Sequence, residues 1–82
     1  MTHWTEENKA LEKTYVFDSF EDAIHFMVTA APQISELDHH PTWTNTYNRL
    51  HVRLTSHDAG NQITEKDWAL ARVLDALFEQ ID

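Results

Sequence analysis

The sequence predicts an α+β fold: a four-stranded antiparallel sheet with helices packed on one face, in the order β-β-α-β-β-α. Three observations predict it. Apolar residues alternate at period two around Leu11, Tyr15 and Phe17, and again at Leu50, Val52 and Leu54. They recur at spacings of three and four between Phe20 and Leu37, and between Leu70 and Ile81. One Gly and two Pro in 82 residues leave few breaks, so the elements are compact and residues 1–82 read as a single domain.

Taken in order, His3 to Phe17 reads as two short strands. Leu11, Tyr15 and Phe17 share one face; Lys13 interrupts it and Val16 points the other way. Asp18 is expected to cap the first helix, with Glu21 at the capping-box spacing. Phe20, Ala23, Ile24, Met27, Ala30, Ala31, Ile34 and Leu37 form its apolar stripe, and His25 faces solvent. Pro32 lacks an N–H and its ring crowds residue 28, which predicts a bend or break near Ala31. Pro41 then drives His40 toward an extended conformation, so Asp38-His39-His40 leaves the helix for a strand.

A hairpin follows, with strands from Thr42 to Tyr47 and from Leu50 to His57 and the turn at or near Asn48-Arg49. In the second strand Leu50, Val52, Leu54 and Ser56 face the core, and His51, Arg53, Thr55 and His57 face away. Asp58-Ala59-Gly60-Asn61 is a turn. Thr64 caps the second helix with Asp67 at the capping-box position, and Leu70, Leu74, Leu77 and Ile81, widened by Ala71 and Phe78, form its stripe.

Composition narrows the function. The net charge is −8 with only six Lys and Arg, which argues against a nucleic-acid or anionic-lipid surface. No apolar run reaches membrane-spanning length, and Met1-Thr2-His3-Trp4 has neither a basic start nor an apolar stretch, so a cytoplasmic protein is expected. Without cysteine there are no disulfides or thiolate metal sites. A domain this short buries only about 60% of its unfolded surface, so oligomerisation is a natural supplement.

The chemistry lies in the histidines. A tight turn centred between Asn48 and Arg49 pairs His40 with His57, and His39 sits beside them in the entering loop. Imidazole suits acid–base work because its reference pKa of about 6.5 populates both forms near neutrality. Asp67, in the first turn of the second helix, either caps that helix, receives an imidazole N–H, or does both. The plainer reading is a polar loop on an acidic protein. A three-histidine zinc site is the sharper rival, although no His-x-x-x-His pair exists and adjacent histidines seldom chelate one ion. Trp43 is a core residue or a pocket wall, and His51 lies too far along its strand to join the cluster.

Asp38-His39-His40-Pro41-Thr42-Trp43, Tyr47-Asn48-Arg49 and Leu54-Thr55-Ser56-His57 together resemble the pterin-4a-carbinolamine dehydratases, as do the helix starts at Phe17-Asp18-Ser19-Phe20 and Thr64 to Asp67. The resemblance covers nearly the whole chain. It implies catalysis by His39, His40 and His57, support from Asp67, and substrate contacts from Asp38, Trp43, Thr55, Ser56 and Asp58. The implied reaction converts 4a-hydroxytetrahydrobiopterin to quinonoid dihydropterin and water, in tetrahydrobiopterin recycling, without a redox cofactor or metal. The implied assembly is a homodimer by sheet extension or a homotetramer through helices, with an aromatic amino acid hydroxylase as pathway partner. Some animal members also bind a homeodomain transcription factor, so the alternative is a non-enzymatic dimerisation module. The family's usual N-terminal helix is missing or vestigial here, Pro32 falls inside a family helix, and the Gly60 to Thr64 loop is one residue longer than in many relatives.

Overall fold

The structure, a computed structural model, describes residues 3–80. Its strands are β1 (Thr5–Glu7), β2 (Ala10–Val16), β3 (Thr42–Thr46) and β4 (Arg49–Leu54), and its helices are α1 (Phe20–Leu37) and α2 (Glu65–Gln80). The strands form one antiparallel sheet in the order β1-β2-β4-β3, with β1 and β3 at the free edges. This is the α+β fold and element order that the periodicities predict.

Alternation decides which sheet face is covered. Leu11, Tyr15 and Phe17 from the β2 segment and Leu50, Val52 and Leu54 from β4 are buried beneath the helices. Each fully buried large apolar side chain contributes about 1.5–3 kcal/mol. Tyr15, Phe17, Phe26 and Phe78 stack around one another with ring centroids 4.9–6.5 Å apart. At the margin of this cluster Asp75 accepts hydrogen bonds from Trp4 Nε1 (3.1 Å), Lys13 Nζ (2.7 Å) and Tyr15 Oη (2.6 Å). Lys13 can share the apolar face of β2 because Asp75 meets its charge there and its ammonium lies over the Tyr15 ring.

Four sequence expectations need correction. The cap of α1 is Ser19, not Asp18: Ser19 is extended and its hydroxyl accepts the Asp22 N–H at 3.1 Å. The helix continues through Pro32 to Leu37 instead of breaking. Pro32 and Val28 are both exposed, so water can reach the Val28 carbonyl that lacks its usual donor. The covered stripe of α1 is centred on Ala23, Phe26, Ala30 and Ile34; Phe20 and Leu37 are exposed, and the omitted Phe26 is fully buried. The aromatic cluster accounts for this, because it offers Phe26 ring partners that Phe20 does not have.

The fourth correction concerns the hairpin. Thr46 pairs with Arg49 and Trp43 with Val52, so the two-residue turn is Tyr47-Asn48, one position earlier than expected. Tyr47 takes a positive φ of 52°, as the first position of such turns demands. Asn48 locks the turn to the sheet: its side chain donates to the Phe17 carbonyl (2.9 Å) and its carbonyl accepts the Phe17 N–H (2.8 Å). Ile81, expected in the α2 stripe, lies outside the described residues.

Candidate active site

The earlier turn shifts the register by two. Extended past Thr42, the ladder sets His40 across from Thr55, not His57. Nor does β4 reach His57: the strand ends at Leu54, and His57 opens a short 3-10 turn, His57–Ala59. The loop after β4 folds back on itself. Ser56 exchanges backbone bonds with Gln62 (3.0 and 3.3 Å), and the Ser56 carbonyl also accepts the Ala59 and Asn61 N–H groups. Gly60 closes the turn at φ 77°, which suits a residue without Cβ. His57 is thereby held on an exposed loop, with Nδ1 2.7 Å from Asn61 Oδ1. That contact puts the Nδ1 proton on His57 and leaves Nε2 outward.

His39 is the anchored member. α1 ends at Asp38, whose left-handed conformation (φ 52°, ψ 42°) turns the chain and whose N–H bonds Ser35 O at 3.1 Å. The turn sends the His39 side chain, only 10% exposed, toward the start of α2, where Nε2 lies 2.5 Å from Asp67 Oδ1. Asp67 is 0% exposed, and its second oxygen, Oδ2, receives the Thr64 N–H and the Ser56 hydroxyl, both at 2.8 Å. Asp67 therefore caps α2 and holds an imidazole with the same carboxylate.

Proton directions follow from chemistry. A backbone N–H can only donate, so Oδ2 accepts, and the ionised carboxylate accepts at Oδ1 as well. His39 must then carry its proton on Nε2. Its Nδ1 makes no hydrogen bond among the described residues. No buried side-chain nitrogen or oxygen there lacks a partner, so Nδ1 opens to solvent. The group is an imidazole backed by a buried carboxylate, with its second ring nitrogen presented outward. This arrangement suits proton abstraction.

The other expected site residues separate into groups. His40, next to His39, is exposed. Asp38 and Asp58 are exposed at the rim, Asp58 with Lys66 Nζ 3.6 Å away. Trp43 is half-buried and packs on the core. Thr55 is buried and donates to Lys9 O at 2.9 Å. Ser56 is 1% exposed, with its hydroxyl committed to Asp67 and Thr64, so its side chain supports the site from behind rather than lining it. Asn61 and Thr64, as partners of His57 and Ser56, were absent from the sequence expectation. The signals available for Thr64 were a Ser on an otherwise apolar strand face, which needs a buried partner, and the Thr64-x-x-Asp67 spacing; nothing in the pattern pointed to Asn61.

His51 belongs to a separate array on the open sheet face, where it contacts Thr14 Oγ1 and Glu12 Oε1 at 2.9 Å each. A cavity of about 600 Å3 between β2 and α2, lined by Trp4, Tyr15, Trp68 and Phe78, contains none of the three motif histidines. Among the described residues no group of three or more His, Cys, Asp or Glu is placed to hold a metal ion, and no helix is long and apolar enough to cross a membrane.

Comparison with known proteins decides the family. The pterin 4 alpha carbinolamine dehydratase family matches residues 1–77. This chain belongs to that family. A relative from Opitutus terrae that carries the name pterin-4-alpha-carbinolamine dehydratase is 55% identical over 84% of this chain and 71% of its own length. The crystal structure of a transcriptional coactivator/pterin dehydratase from Brucella melitensis superposes with a TM-score of 0.82 at 37% identity, covering 93% of this chain and 80% of that one. A pterin dehydratase-like protein identified as a RuBisCO assembly factor in the alpha-carboxysome shares the fold (TM-score 0.77), at 24% identity over 95% of this chain and 96% of its own. The family match thus includes His39, His57 and Asp67.

Proposed function

We propose that this chain dehydrates a 4a-hydroxytetrahydropterin, such as 4a-hydroxytetrahydrobiopterin, to the quinonoid dihydropterin. The observation that carries the proposal is His39, held by Nε2 on the buried Asp67 with Nδ1 facing outward. His39 Nδ1 takes the proton from N5 of the pterin. The N5 electron pair forms the C4a=N5 double bond, and the C4a–O bond breaks with its electrons on oxygen. Protonated His57 delivers its proton to that oxygen, which leaves as water. Each transferred proton comes from or goes to an imidazole, so no redox partner enters the balance. Asp67 stabilises the His39 imidazolium that forms. His40 and the rim residues Asp38 and Asp58 position the ring.

The sequence of bonded groups supports a shared site. His39, Asp67 and Ser56 form one hydrogen-bonded chain, and His40 and His57 are the next residues at its two ends. The net charge of −8 agrees with a neutral, flat substrate. Self-association is part of the same reading. The sheet has two free edges, and Phe20, Ile24 and Val28 form an apolar ridge on α1, with Phe20 44% and Val28 65% exposed. A homodimer through a sheet edge and a homotetramer through α1 would cover them.

The test is dehydration of synthetic 4a-hydroxytetrahydropterin by the purified protein. His39→Ala and His57→Ala are each expected to slow it by at least about tenfold, a floor set below the about 10²- to 10⁴-fold that acid–base groups supply, with the far-ultraviolet circular dichroism unchanged. Full activity in both variants would refute the mechanism. The rival, a non-enzymatic dimerisation module, draws on the coactivator description of the Brucella melitensis protein. It predicts no turnover by the parent protein and leaves the His39–Asp67 pair without a purpose.

A further inference from the structure

We infer that Ser56 is a positioning residue that fixes the orientation of the Asp67 carboxylate and, through it, the place of the His39 ring, an inference that rests on the reading of His39 as a base. The directional logic extends one group beyond the carboxylate. Asp67 Oδ2 accepts from the Thr64 N–H, and the Ser56 hydroxyl donates to the same oxygen at 2.8 Å. Having given its only proton to Asp67, Ser56 must accept in its 2.7 Å contact with Thr64 Oγ1, so the Thr64 hydroxyl donates. Thr64 Oγ1 in turn accepts the Lys66 N–H at 3.3 Å. Every proton from the first turn of α2 to His39 Nε2 therefore has one direction.

The arrangement does two things. Two donors on Oδ2 fix the carboxylate rotation, so that Oδ1 faces His39. Saturating Oδ2 also leaves Oδ1 as the oxygen available to the imidazole. Ser56 is 1% exposed and Asp67 0%, so water does not replace a lost hydroxyl without a rearrangement. Ser56 follows the last apolar residues of β4 on the same face, and this alternation aims its hydroxyl inward at α2.

The experiment combines steady-state kinetics with imidazole nitrogen NMR of the full chain. Ser56→Ala is expected to lower kcat by about tenfold with KM within about twofold, because binding groups stay in place and only the base is misaligned. The His39 Nε2–H resonance, protected in the parent, should broaden as the loosened carboxylate lets that bond lengthen and exchange. Ser56→Thr, which keeps the hydroxyl, should restore both readouts. Thr64→Val removes the relay's outer donor while keeping the backbone N–H; it should show the same pattern more weakly, and it carries the test if Ser56→Ala fails to fold. An unchanged, still protected His39 Nε2–H resonance with kcat within about twofold of the parent overturns the inference and leaves the dehydratase reading intact. A parent protein without turnover overturns the dehydratase reading, while the NMR comparison still decides whether Ser56 fixes the His39 ring through Asp67.

Discussion

Replacing Asp67 by Asn keeps the shape of the side chain and reverses its proton logic. Three donors converge on the carboxylate: Thr64 N–H and Ser56 Oγ–H on Oδ2, and His39 Nε2–H on Oδ1. An amide has one accepting oxygen and one donating nitrogen, so one side must lose. Ser56 can rotate its hydroxyl to accept, but the Thr64 N–H cannot. Turning the amide nitrogen toward Thr64 would leave the part-buried Thr64 N–H without its acceptor, at up to about 1–3 kcal/mol, so the amide oxygen stays there. A preference of that size is roughly five- to hundredfold in population, because 1.4 kcal/mol is about tenfold. The amide N–H then points at His39 and forces Nε2 to accept, which moves the ring proton to Nδ1. That nitrogen no longer has a free electron pair for the substrate.

The tautomer preference alone lowers kcat by about five- to hundredfold, and loss of the charge that stabilises the His39 imidazolium carries the effect into the range of general acid–base catalysis, about 10²- to 10⁴-fold. The upper figure is also what a tautomer-reversing Asp→Asn change costs a serine protease triad, about 10⁴-fold. Stability should fall by about 1–3 kcal/mol as charge-assisted bonds become neutral ones, a Tm drop on the order of 10 °C for a chain this short. Dehydration kinetics, thermal denaturation and imidazole nitrogen NMR of His39 read the three effects separately. An Asp67→Asn protein that keeps kcat within about threefold and retains the Nε2–H tautomer would refute the reasoning.

Two further predictions concern other parts of the molecule. Burial, then the hydrogen bond and charge of Asp75, push the Tyr15 phenol pKa above its ordinary value, with Lys13 facing the same carboxylate. Above the reference value of about 10, the unfolded chain releases a proton that the folded chain keeps, so this contribution is intact below that pH and stability falls as pH rises beyond it. In a Tyr47→Phe background, phenolate absorbance should emerge only together with unfolding, and Tyr15→Phe should flatten the alkaline fall in stability; a phenolate signal from folded protein near the reference value would contradict this. On α1, Val28→Glu places a charge on the Phe20–Ile24–Val28 ridge, and under the proposed pairing through α1 it is expected to lower the light-scattering mass, whereas an unchanged assembly would remove that ridge from the interface.

Element order and the covered faces of β2 and β4 were legible in the residue pattern alone. Side-chain alternation is a local property of extended backbone, and Leu11, Tyr15 and Phe17 follow it wherever the strand pairs. The spacing of Thr64 and Asp67 likewise carried the start of α2. Features that depend on partners distant in the chain emerged from packing. Phe26 displaced Phe20 from the core because Tyr15, Phe17 and Phe78 offered it a ring cluster. The turn moved to Tyr47-Asn48 as Asn48 tied itself to Phe17, and that one-position change broke the expected His40–His57 pairing. Asp67 could be expected near the histidines, but its choice of His39 required α1 to end in a left-handed turn at Asp38, aimed at the first turn of α2. Ser56 stood on the correct face in the sequence reading; its partner, and so its role, came from the packing of β4's end against α2.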